Sequence, residues 1–78
     1  AWVMNPKEQQ KFFKDLGSRI SGARKQKGYS QERLADLTGL DRVAIGYIEQ
    51  GRRHPTVTTI YKISKALEIK LEQIFRGY

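Results

Sequence analysis

The chain has 78 residues, 38% of them hydrophobic and 29% charged, enough apolar material for one folded domain and too much for a disordered tail. Fifteen Lys and Arg against eight Asp and Glu leave a net charge of +7, a balance that favours polyanionic partners, with nucleic acid first among them. The absence of cysteine excludes disulfides and thiolate metal sites, and no apolar run reaches the length of a bilayer span.

Ala1, Trp2 and Val3 precede Met4 and read as residues added in cloning or as a short N-terminal arm, so residues 1–4 are expected to stay outside the fold. They are too short for a secretory signal, and a cytoplasmic location is expected. The rest reads as a single domain. Asn5 is placed to cap a first helix with Pro6 at its first position and Glu8 within capping-box reach. Phe13, Leu16, Ile20 and Ala23 recur at helical spacing, and Gly28 supplies a stop. Gly17 and Gly22 each weaken this helix by about 1 kcal/mol relative to Ala. Asp15, four residues from both Lys11 and Arg19, is expected to pair with both. A water-facing stripe of that kind is preferred to a membrane-surface helix for Lys7, Lys11 and Lys14 beside Phe12 and Phe13.

Ser30 caps a second helix that turns Leu34, Ala35 and Thr38 inward and ends at Gly39. Asp41 caps a third with Ile45 and Ile48 inward, ended by Gly51. Thr56 caps a fourth carrying Ile60, Ile63 and Leu67, and a last short helix runs from about Leu71 to Phe75. No strand periodicity competes, so the predicted class is all-α, a bundle of about five short helices.

The second and third helices are separated by about three residues and cross steeply, which requires a small residue at the contact and a glycine at the turn. Ala35 and Gly39 supply them. Arg42, Val43, Gly46 and Tyr47 then fall on the outer face of the third helix. Exposed Val43 and Tyr47 beside Arg42 suit a groove that displays guanine acceptors and thymine methyl groups.

The segments Ser30-Gln31-Glu32-Arg33-Leu34-Ala35, Gly39-Leu40-Asp41-Arg42, and Ile48-Glu49-Gln50-Gly51-Arg52-Arg53-His54-Pro55, with Ile45 between, resemble the Cro and phage-repressor type of helix-turn-helix protein. The likeness runs from about Leu16 to Phe75, and Leu-Asp-Arg with the Arg-Arg-x-Pro loop is similar to the controller proteins of restriction-modification systems. The resemblance implies a lambda-repressor-like domain that binds double-stranded DNA. Arg42, Val43 and Tyr47 would face base edges, Arg42 with a bidentate contact to guanine. Gln31, Arg52 and Arg53 would contact the backbone, as would the helix starts at Ser30 and Thr56, whose free N–H groups and positive dipole ends suit phosphate. Gly46 departs from the family pattern by lacking a side chain at a contact position, and Lys70 by standing where a Ser or Asp caps the final helix.

Arg24 and Glu49 match positions that pair in phage repressors, and a structural ion pair is expected. His54 is a loop residue near phosphate, and neither a metal site nor a cofactor is expected. Tyr29 and Tyr61 read as core or boundary aromatics. Ile69, Leu71, Ile74 and Phe75 could close the core, as some of them must, and part of this patch is expected to supply a two-fold dimer interface that sets two recognition helices about 34 Å apart over a pseudo-palindrome. The leading function is a homodimeric transcriptional regulator without a small-molecule effector. An antitoxin-type protein-interaction module of the same fold is the alternative. No paired carboxylates, nucleophile with base, or phosphate loop supports an enzyme.

Overall fold

Four side chains begin four helices. Asn5 Oδ1 accepts from Glu8 N at 2.8 Å, Ser30 Oγ from Arg33 N at 3.0 Å, Asp41 Oδ1 from Ala44 N at 2.7 Å, and Thr56 Oγ1 from Thr59 N at 3.1 Å. Each satisfies a donor that the first turn would otherwise leave open. The computed structural model describes residues 2–78, so the expectation for Ala1 lies outside the described residues. It contains α1 (Pro6–Gln26), α2 (Gln31–Thr38), α3 (Arg42–Glu49), α4 (Val57–Leu67) and α5 (Leu71–Phe75). The fold is all-α, and no helix among the described residues is long and apolar enough to cross a membrane.

The turn between α2 and α3 depends on Gly39, whose φ of 75° lies in the left-handed region that costs other residues about 1–2 kcal/mol. The end of α4 uses no glycine. Glu68 takes φ 56° there, Ile69 N donates to Ser64 O at 3.0 Å, and the Glu68 carboxylate meets Lys27 Nζ at 2.9 Å. Before α5, Lys70 N donates to Gln73 Oε1 at 2.8 Å, so Gln73 rather than a Ser or Asp cap orders the start of that helix.

Leu16 and Ile20 of α1, Leu34 of α2, Ile45 and Ile48 of α3, and Ile60, Ile63 and Leu67 of α4 form one core. Each fully buried aliphatic side chain contributes about 1.5–3 kcal/mol before the entropy of ordering the chain is set against it. Ile74 joins them at 1% exposure, which corrects its expected place at a dimer interface. With only five residues, α5 turns Ile74 inward to close the core between α1 and α4. Ile69 and Phe75 are half-buried against the core, and Leu71 keeps 36% of its surface exposed.

Arg19 does not pair with Asp15. Its Nη1 donates to Ile74 O at 3.0 Å and to Arg76 O at 2.6 Å, because the end of α5 leaves carbonyls without helical partners. Asp15 instead accepts from Lys11 Nζ at 2.8 Å and from the Tyr78 hydroxyl. Those two hydrogen bonds hold its carboxyl below the ordinary carboxylate range.

Gly17 has a use that its helix propensity hides. A Cβ at this position would strike the Ile48 carbonyl oxygen and lie 2.5 Å from the Glu49 carbonyl oxygen. The backbone of α1 therefore rests directly on the C-terminal end of α3. Gly22, one turn on, has open space where its Cβ would be.

Candidate nucleic-acid interface

The direction in which α3 faces follows from its anchors. Ile45 and Ile48 are 1% and 4% exposed, and Ala44 is buried with them. Gly46, expected on the outer face, is buried as well: its would-be Cβ lies 3.8 Å from Gln31 Oε1, because the first turn of α2 covers that side of α3. What remains outward is Arg42, Val43 at 54% exposure and Tyr47 at 38%. Val43 and Tyr47 are four residues apart and so share one strip of the helix surface.

Behind this strip sits a buried polar cluster. Arg24 Nε donates to Glu49 Oε2 at 2.7 Å, Arg24 Nη2 to Glu49 Oε1 at 3.1 Å, and Arg24 Nη1 to the Tyr29 carbonyl at 2.7 Å. The two side chains are 10% and 6% exposed, so this forked pair ties α1 to the end of α3 away from bulk water. Gln31 belongs to the same cluster, its Nε2 donating to Glu49 Oε1 at 3.1 Å. One of its two amide hydrogens is thereby engaged, and one is left for an outside acceptor such as a phosphate oxygen.

Arg52 and Arg53 extend the outward strip. Both guanidinium carbons lie 5.4 Å from the centre of the Tyr47 ring, within cation–π range. The loop that carries them is held against α1 at two points. A Cβ on Gly51, whose φ is 74°, would come within 2.8 Å of the Lys14 backbone. The His54 ring stacks on Phe13 with centroids 3.9 Å apart and planes 11° from parallel. Sequence reasoning missed this second contact, since a histidine beside Pro55 carries no periodic signal that links it to a phenylalanine 41 positions earlier. Ser30 and Thr56 direct their hydroxyls into their own caps, so a phosphate at either helix start would meet backbone N–H groups.

The site thus joins a solvent-facing helix surface of mixed apolar and cationic character, an adjoining pair of arginines, and the starts of α2 and α4. A helix-turn-helix family model matches residues 20–74. The chain is 36% identical over 62 residues to YonR, a prophage-derived HTH-type transcriptional regulator of Bacillus subtilis, covering 80% of this chain and 57% of that protein. It is 41% identical over 59 residues to the HTH-type transcriptional regulator PuuR of Escherichia coli, covering 76% of this chain and 32% of the relative. The chain therefore spans less than two thirds of the length of these relatives. Among solved structures, the restriction-modification controller protein C.AhdI of Aeromonas hydrophila superimposes with a TM-score of 0.79 at 40% identity, over 81% of this chain and 96% of that one.

Proposed function

Because the chain belongs to the helix-turn-helix family, we propose that it is a DNA-binding transcriptional regulator that places α3 in the major groove. The observation that carries this reading is the outward strip of Arg42, Val43 and Tyr47 on a helix whose other side is locked into the core. Arg42, in the first turn of α3, reads guanine O6 and N7, while Val43 and Tyr47 pack on base edges and thymine methyl groups. Arg52, Arg53, the free amide hydrogen of Gln31 and the N–H groups opening α2 and α4 at Ser30 and Thr56 grip phosphates and set the register.

The protein acts as a homodimer on a pseudo-palindromic operator, because one short helix reads only a few base pairs. Leu71, with Ile69 and Phe75 beside it, supplies the apolar surface for the two-fold contact. The likeness to C.AhdI along nearly its whole length favours a controller of a restriction-modification system. Selection from random duplex DNA tests the reading when repeated with Arg42→Ala. A palindromic consensus that loses its preference at one base position, by about 1–3 kcal/mol of discrimination, supports it. Uniform weakening across all sequences would demote Arg42 to a phosphate contact, and sedimentation as a monomer on operator DNA would remove the dimer.

A further inference from the structure

An open groove of about 450 Å³ runs between the last turn of α2 and the outer side of α4, lined by Leu37, Thr38, Tyr61, Lys62, Lys65 and Ala66. Leu37 and Tyr61 leave 42% and 49% of their surfaces exposed across it. The Thr38 hydroxyl is already satisfied, donating to Leu34 O at 2.8 Å, so the groove floor offers no polar anchor. Its charge is all of one sign. Among the described residues Lys62 and Lys65 have no carboxylate within ion-pair distance, and Lys65 Nζ rests 5.3 Å from the centre of the Tyr61 ring.

DNA binding does not account for these lysines. α4 approaches phosphate with its N-terminus, and at the helical rise Lys62 and Lys65 lie about 9 and 14 Å farther along the axis from Thr56. A second copy of the chain is a poor occupant, since a two-fold contact sets the same patch against itself and would face lysines with lysines.

We propose that the α2–α4 groove docks a partner protein through an acidic, apolar segment. A leucine or phenylalanine enters between Leu37 and Tyr61, and flanking carboxylates reach Lys62 and Lys65. The site is separate from α3, so duplex and partner can be held together. The test is an amide NMR titration of the whole chain with a synthetic amphipathic Leu/Glu helical peptide, with a Leu/Lys version as control, each in the presence and absence of duplex DNA. The expected result is shifts centred on Leu37, Tyr61, Lys62 and Lys65 that survive addition of duplex. Affinity should fall about tenfold in Leu37→Ser and in the Lys62→Gln, Lys65→Gln double variant, both keeping the parent melting temperature. Four outcomes overturn the proposal: shifts at Arg42, Arg52 and Arg53 that duplex competes away; equal response to the lysine peptide; no localised shifts at about 1 mM peptide; or a dimer that Leu37→Ser dissociates, which would make a second copy the occupant.

Discussion

On its inner side α3 presents Ile45 and Ile48 to the core, Gly46 to Gln31, and its last carbonyls to the bare backbone of Gly17, with Glu49 forked onto Arg24. On its outer side Arg42, Val43 and Tyr47 are exposed, with only the neighbouring Arg52 and Arg53 resting on the tyrosine. The same two turns thus hold one surface whose residues are fixed by what they touch and another whose residues are not needed for folding. Changes on the inner side should be read in stability, and changes on the outer side in recognition.

Removing Glu49 should break the inner side most severely. Glu49→Ala leaves the Arg24 guanidinium buried without its counter-ion, and thermal unfolding should show a loss of about 3–5 kcal/mol, more than about 10 °C in a domain of this size. An unchanged melting temperature would mean that the pair is not structural. Gly17→Ala comes next, at about 1–3 kcal/mol in a denaturant titration, because the added methyl meets backbone carbonyls that cannot swing aside. Outer-side variants sharpen the contrast: Arg42→Ala and Val43→Ala should each leave stability within about 0.5 kcal/mol while weakening the preferred duplex in a binding titration. A large drop in melting temperature from either would erase the distinction. Smallest and opposite in sign is Gly22→Ala, where open space and a helical backbone predict a gain of about 0.5–1 kcal/mol in the same denaturant titration.

Gly17 and Gly22 also mark the limit of what the sequence reveals. Local chemistry is legible: Asn5, Ser30, Asp41 and Thr56 cap the helices that their types predict, and the helical spacing of Leu16, Ile20, Leu34, Ile45, Ile60 and Ile63 finds the core. The two glycines look alike on that scale. Only the crossing of α1 over the end of α3, set by residues some thirty positions apart, makes one indispensable and the other a defect. Gly46 departs from its expected outward place for a related reason, since helical phase gives a direction but not how far the covering turn of α2 extends. Ile74 and Arg19 depend on where the chain comes to rest after α4, where Glu68 ends the helix in a left-handed conformation that its residue type does not advertise. The outward strip is readable because a valine and a tyrosine beside an arginine, on a helix already anchored by isoleucines, have no place in the core.

The cation–π contacts of Arg52 and Arg53 with Tyr47 bear on what it would cost these side chains to meet a ligand. Arginine side chains that roam freely must be immobilised at the moment of contact, at about 0.5–1.5 kcal/mol each. Here the aromatic ring holds both cations beside the outward strip of α3, so part of that ordering is already in place. Replacing the ring with an aliphatic side chain of similar bulk would leave the charge count untouched yet set the pair adrift, so that ordering both arginines would fall due on binding.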